Sequence, residues 1–348
     1  MPDADALPFR PGDEAALDEA LSRPDDRVRA ALERCPGDLI VLGAGGKMGP
    51  TLARMARRAF DDLGRRDRVL AVSRFSDPAA AAALEAAGVG TIAADLADPR
   101  ALAALPDAAS VVYMAGQKFG TRDDPLRTWQ LNAVVPLRCA ERFGGARTLL
   151  FSTGNVYPLV PVDGPGSREA DPPVPTGEYA ASCVARERLY AGVAAERGTP
   201  LAIVRLNYAV DLRYGVLVDL ARRLLAGGPV DLTTGAVNVI WQGDANRLAL
   251  AALPHATTPP FVVNVTGPEL LRVRDVTAAL AGHLGRPAEF TGHEAPTALL
   301  SDTTRMRELL GEPEIGAARL ARWVAEWIGG GGRVLGKPTR FEVRDGSF

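Results

Sequence analysis

A short apolar run, Leu39-Ile-Val-Leu42, stops at the glycine-rich stretch Gly43-Ala-Gly45-Gly46-Lys47-Met48-Gly49. Apolar residues then recur at Met48, Leu52, Met55, Ala59 and Leu63, the spacing of one helix face. Strand, glycine turn and helix in that order offer unpaired helix-start N–H groups to an anion, with the positive end of the helix dipole behind them. Glycine suits the turn because it is tight and a Cβ would hold a pyrophosphate away from the backbone. The glycines satisfy both G-x-G at Gly43/Gly45 and G-x-x-G-x-x-G at Gly43/Gly46/Gly49. The chemistry implied is dinucleotide binding; taken alone, the stretch also fits an ordinary strand-to-helix turn.

Further along, three short stretches end where a nucleotide would lie. Ser73-Arg74 closes the second apolar run; an acid there would bind a ribose 2′-hydroxyl, whereas arginine fits a 2′-phosphate. The expected cofactor is therefore NADP or NAD, with NADP favoured. Asp95, followed by Leu96, is placed to accept from an adenine amino group or, equally on spacing, to cap the helix opening at Pro99. Ala115-Gly116 lets the backbone pass close to a nucleotide.

These residues need a scaffold. Strand-like runs at 68–73, 91–94, 110–115, 148–151 and 201–205 alternate with helix-favouring segments at 78–87, 99–105, 125–143 and 179–196. That alternation predicts an α/β fold, a Rossmann-like doubly wound parallel sheet covered on both faces, with ligands at the carboxyl ends of its strands. Residues 1–37 read as an N-terminal extension, 38–206 as the nucleotide-binding domain, 207–328 as a smaller substrate-binding lobe sharing the sheet, and 329–348 as a tail behind a glycine linker.

The 348 residues, 47% hydrophobic and 24% charged, suit a soluble globular protein with a large core. A net charge of −2 without a basic block argues against a nucleic-acid partner. No apolar run reaches the roughly 18 residues of a membrane span, and the acidic, Pro/Ala-rich start is unlike a signal peptide. Cys35, Cys139 and Cys183 are odd in number and far apart, which predicts reduced thiols and a cytoplasmic setting. Three histidines without paired Cys or His spacing predict no metal site.

The chain resembles the extended short-chain dehydrogenase/reductase family, the NAD(P)-dependent sugar epimerase/dehydratase group, over residues 38–328. The resemblance rests on Gly43-x-x-Gly46-x-x-Gly49, Asp95-Leu96, Ala115-Gly116, Asn132, Ser152-Thr-Gly-Asn-Val-Tyr157, Tyr179-Ala-Ala-Ser-Cys183, Arg205-Leu-Asn207 and Asp244-Ala. It implies hydride transfer between a small-molecule substrate and a nicotinamide, with Thr153 binding the reacting oxygen and Tyr179 as general acid/base. It also implies that Asn132 lies at the cofactor site in a supporting role, substrate contacts from Asn207 and its neighbours, and a homodimer formed through the helices after the fourth and fifth strands. Asn155, Arg213 and Trp241 are further expected substrate contacts, and Lys47 and Met48 of the glycine stretch are expected on the cofactor.

One departure bears on mechanism. The family's lysine, four residues after the tyrosine, is Cys183 here. A unit charge a few ångströms away at an effective dielectric near 20 is worth roughly 3–4 kcal/mol to an ionised phenol. Without it only about one tyrosine in a thousand is ionised at neutral pH. Three readings stay open: Lys118, just past the fourth strand, supplies the missing cation; the tyrosine acts as a neutral donor; or the protein is a catalytically silent NAD(P)-binding sensor or structural subunit. Two more departures narrow the substrate. Thr153-Gly154-Asn155 lacks the acidic pair of the family's dehydratases, and Val237 stands where many sugar-nucleotide enzymes carry a diphosphate-binding arginine. The first argues against a dehydratase, and the second argues against a nucleoside-diphosphate sugar and for a smaller or uncharged substrate, such as a small sugar, polyol or sugar-derived metabolite.

Overall fold

The computed structural model describes residues 5–347. Seven parallel strands form the central sheet: β1 (Leu39–Leu42), β2 (Val69–Ser73), β3 (Gly90–Ala93), β4 (Ser110–Tyr113), β5 (Arg147–Thr153), β6 (Leu201–Leu206) and β7 (Phe261–Val265). Their spatial order is 3-2-1-4-5-6-7, so the direction of winding reverses between β1 and β4. The crevice at such a reversal is where doubly wound sheets bind ligands.

Residue alternation along each strand assigns its two faces. Leu39 and Val41 of β1 join Val69, Val112, Leu149 and Val204 in one core, against helices α2 (Asp26–Glu33), α3 (Gly49–Asp62) and α10 (Gln242–Ala252). Ile40 and Leu42 join Leu70, Val111, Leu150 and Ile203 on the other face, against α5 (Pro99–Ala103), α7 (Val135–Arg142) and α8 (Gly177–Arg197). Burial on both faces is why these strands are continuous apolar runs rather than alternating ones. A third core lies outside the sheet, where α9 (Val216–Leu225), α11 (Val273–Leu284) and α13 (Ala317–Gly329) pack together.

The segments toward both ends of the described residues are built into the fold. Pro24 separates α1 (Glu14–Leu21) from α2; Leu17 and Leu21 enter the third core, and Val28 and Leu32 enter the first. The C-terminal residues, expected as a tail behind a linker, form an ordered strap. Trp327 Nε1 donates to the Arg333 carbonyl (3.0 Å), Thr339 donates twice to the Asp219 carboxylate (2.7 and 2.6 Å), and Phe341 is buried in the third core. The Arg344 guanidinium ends the strap with two 2.7 Å bonds to Thr297. The helix expected over 125–143 is also not uniform: α6 (Pro125–Trp129) passes through a π-helical turn, Gln130–Val134, into α7. Such turns recur at functional sites.

Helix α8 is tied to the sheet by a buried charge pair. The Arg205 guanidinium of β6 meets the Glu187 carboxylate at 2.7 Å, with both side chains almost fully buried. Ser152 donates to Glu187 (2.5 Å), Arg205 donates to Tyr157 (2.7 Å), and Tyr157 donates to Asn264 of β7 (2.9 Å). Burial lifts the Tyr157 phenol to about 12, so it keeps the proton it donates. Removing one partner of a buried pair strands the other charge. Arg205→Leu is expected to lower the unfolding free energy by about 3–5 kcal/mol in urea denaturation, and a loss below about 1 kcal/mol would show that the pair carries no such role.

Candidate active site: a glycine cleft opening on a tyrosine chamber

At the carboxyl ends of β1, β2, β3 and β4 lies a cleft of 980 Å³. It brings together nine of the expected cofactor residues: Gly43, Gly45, Gly46, Ser73, Arg74, Asp95, Leu96, Ala115 and Gly116. Gly43 has φ +88°, a left-handed conformation, and a Cβ there would stand 2.5 Å from the Ala115 backbone nitrogen. Only glycine lets these two loops meet at the reversal point. Helix α3 then starts at Gly49 with no side-chain cap, leaving its first N–H groups for an anion. Gly49 itself lies inside the helix behind the cleft. Asp95 accepts from the Ala97 backbone N–H (2.9 Å) while lining the cleft.

Where Gly46 ends the cleft, Lys47 and Met48 open a second space, a chamber of 160 Å³. Thr153, Asn155, Tyr179, Asn207 and Lys118 all line it. Thr153 closes β5, and its hydroxyl accepts from the Asn155 N–H (3.1 Å), capping the short turn Gly154–Val156. Tyr179 stands in the first turn of α8 and shares hydrogen bonds with the Thr153 hydroxyl and with Cys183, one turn on. Burial holds the Tyr179 phenol far above its ordinary value; the Arg186 guanidinium opposes that rise. The Cys183 thiol is raised as well, again by burial, with Arg186, Tyr179 and Lys118 opposing. Both groups are neutral at pH 7. Burial also brings the Lys47 and Lys118 ammonium groups down, each to about 8.

Behind the chamber, Asn132 and Arg186 set the geometry. Asn132 sits in the π-helical turn and is fully buried. Its amide accepts from Gln117 N–H (2.8 Å) and donates to Gln117 C=O (2.8 Å) and to Ser182 Oγ (3.0 Å). Arg186 donates to the Asn132 carbonyl (3.2 Å), the Asn132 side-chain oxygen (2.9 Å) and the Phe151 carbonyl (3.1 Å). Asn132, expected on the cofactor, thus positions the loop that carries Gly116 and Lys118 and does not line the cleft itself.

Two expected substrate contacts stand elsewhere. Arg213 pairs with Asp211 (2.9 Å), Asp18 (2.8 Å) and Glu14 (3.4 Å), fastening α1 to the lobe. Trp241 is buried edge-to-face against Trp323, ring centroids 5.6 Å apart, because an indole that large fills the third core. Conversely, Tyr208, Tyr214 and Thr339 line the chamber and Lys337 the cleft, none of them singled out from the sequence. Tyr208 and, in the cleft, Phe75 have positive φ (41° and 43°), strain of the kind that gathers at ligand-facing loops. Only the Gly329–Gly332 run hinted that the chain folds back to bring Thr339 and Lys337 to the site.

The fold and the site define a dinucleotide-binding α/β protein with a short-chain dehydrogenase/reductase layout. A family model described as the NAD dependent epimerase/dehydratase family matches residues 39–259, and the chain belongs to that family. Among curated protein sequences, none matches the chain. Solved structures similar to it include a UDP-glucose 4-epimerase from Thermotoga maritima with UDP-glucose (18% identity, TM-score 0.69, covering 84% of this chain and 98% of that one). A UDP-glucose 4-epimerase from Thermus thermophilus in complex with NAD gives 21% identity and a TM-score of 0.67, over 84% and 99%. The dTDP-glucose 4,6-dehydratase DesIV from Streptomyces venezuelae, with NAD bound, gives 21% and 0.69, over 84% and 97%. At these identities the likeness is one of fold.

Because Gly43 has no room for a Cβ against Ala115, Gly43→Ala is expected to weaken NADPH and NADH binding at least about tenfold, measured by quenching of tryptophan fluorescence. Unchanged affinity would remove the dinucleotide from this turn.

Proposed function

We propose that the protein is an NAD(P)-dependent oxidoreductase or epimerase acting on a sugar, polyol or sugar-derived small metabolite. The observation that carries this reading is the meeting of Thr153 and Tyr179 in a chamber that begins where the glycine cleft ends. The exposed, cleft-lining Arg74 favours NADP through its fit to a 2′-phosphate.

When bound, the nicotinamide supplies or takes up a hydride. The Thr153 hydroxyl holds the substrate oxygen, and Tyr179 O–H gives that oxygen its proton as a carbonyl is reduced. The protonation state supports this direction: burial keeps Tyr179 a neutral phenol, and Cys183 adds no positive charge. Lys118, one of two lysines on the same chamber with Lys47, acts electrostatically on Cys183. Alcohol oxidation needs the phenol deprotonated first, so it gains as pH climbs toward the raised value. The subunit is proposed to dimerise through α6–α8, where Leu126, Trp129, Val134 and Leu189 are large apolar side chains left exposed. Such patches mark association surfaces.

Mixing the protein with NADPH or NADH and a panel of aldoses, ketoses and polyols, with absorbance followed at the nicotinamide band, tests the reading. Turnover is expected, and Tyr179→Phe is expected to lower kcat by about 10²–10⁴-fold. Carbonyl reduction should stay level up to about pH 7 and fall as the Lys118 ammonium loses its charge near 8, while alcohol oxidation rises with pH as the phenol deprotonates. Tight dinucleotide binding without any turnover would instead favour a silent binding protein. By light scattering the wild type is expected to run as a dimer and Leu126→Asp as a monomer; a monomeric wild type overturns the assembly.

A further inference from the structure

The chamber is unusual in its charge. Two ammonium groups face it, Lys47 Nζ from the glycine turn and Lys118 Nζ from the loop after β4, and no aspartate or glutamate is among the described residues lining it. The other polar groups on its wall include the hydroxyls, amides and phenols of Thr153, Asn155, Tyr179, Asn207, Tyr208 and Tyr214. The nearby carboxylates are committed behind the wall. Asp211 is held by the Arg213 guanidinium and backbone N–H (2.9 Å each), and Asp219 receives the Thr339 N–H and hydroxyl.

Each lysine is aimed by the protein. Lys47 Nζ donates to the Ala209 carbonyl (2.8 Å) and lies 4.3 Å from the centroid of the Tyr214 ring. Lys118 Nζ reaches the Thr339 carbonyl of the strap (3.4 Å). Burial does most to lower the Lys47 ammonium and the Asp211 carboxylate opposes it, while the Lys118 charge adds to the lowering, so the two ammonium groups are within electrostatic range of each other. Gathering like charges in a half-buried space is unfavourable unless something negative joins them. Position separates this pair from the dinucleotide's anionic middle, since both lysines line the chamber with Tyr179 and neither lines the cleft with Gly43, Gly45 and Gly46. The strap closes the far side: beyond Asn155 and Tyr208 only 30 Å³ remains, walled by Phe341, Val343 and Arg344.

We infer that Lys47 and Lys118 form an anion site inside the chamber and that the substrate is a compact hydroxy or keto carboxylic acid, such as a sugar acid. This rests on the proposed reading of Thr153 and Tyr179 as the groups that handle the reacting oxygen. The carboxylate lies against the two ammonium groups and leaves a neighbouring hydroxyl or carbonyl for Thr153 and Tyr179. The same shared chemistry could be met by a phosphate of the dinucleotide, and the experiment separates the two.

The test is calorimetric titration of the full-length protein, with and without saturating NADPH, with D-galacturonate against D-galactose and with glycerate against glycerol. Each acid is expected to bind at least tenfold more tightly than its neutral match. Lys47→Gln should abolish that preference while changing NADPH affinity less than twofold, and Lys47→Arg should restore it, which separates loss of charge from loss of fold. Equal affinity for acids and neutral matches overturns the inference. So does a Lys47→Gln variant whose main loss is in NADPH binding, since the lysine then serves the dinucleotide. Should NADPH fail to bind while the acid preference persists, the anion site stands and the oxidoreductase reading falls.

Discussion

The site depends on one clamp, the buried Arg186 guanidinium against Asn132. Its three hydrogen bonds end on the π-helical turn and on the Phe151 carbonyl of β5, and the Asn132 amide carries the connection on to Gln117. Four segments are thereby held in register: the loop with Gly116 and Lys118, the π-helical turn, the strand ending at Thr153, and α8 with Tyr179 and Cys183. A buried guanidinium is stable only when most of its donors are satisfied. Here carbonyl oxygens and one amide oxygen satisfy it, so its positive charge remains unneutralised by direct contact and reaches Tyr179 and Cys183.

That charge bears on the lysine-to-cysteine exchange. With Cys183 beneath Tyr179, the first turns of α8 bring no ammonium group, and burial raises both the phenol and the thiol. Two cations act by other routes, Arg186 from behind on both groups and Lys118, from the loop across the chamber, on Cys183. Neither makes Tyr179 ionise at neutral pH. The arrangement fits a phenol that donates its proton.

The strap changes how the substrate side is understood. Its residues run from the cleft rim at Lys337, past the chamber at Thr339, to Arg344 on the Thr297 segment. Fixed by Asp219 and by the burial of Phe341, it walls the small space beyond Asn155 and Tyr208. Val237, where the resemblance leads one to look for an arginine, is wholly buried in the third core.

The sequence alone determined the sheet, the glycine turn and the cleft, because each follows from local rules: apolar runs make buried strands, glycine permits the turn, and alternation imposes the winding. Thr153, Tyr179 and Cys183 were picked out by the family resemblance, and they sit at a strand end or in a helix's first turns, where direction is set within a few residues; the loop of Lys118 is instead held by Asn132 from a distant segment. Position along the chain could not say where Arg213 and Trp241 would point, and packing sent one to Asp211 and the other to Trp323. Nor could it show that the last residues return over the site, or that Lys47 and Lys118, 71 positions apart in the numbering, share one chamber. Those are matters of long-range contact, where burial and charge balance across segments far apart in the chain decide the outcome and no local pattern records it.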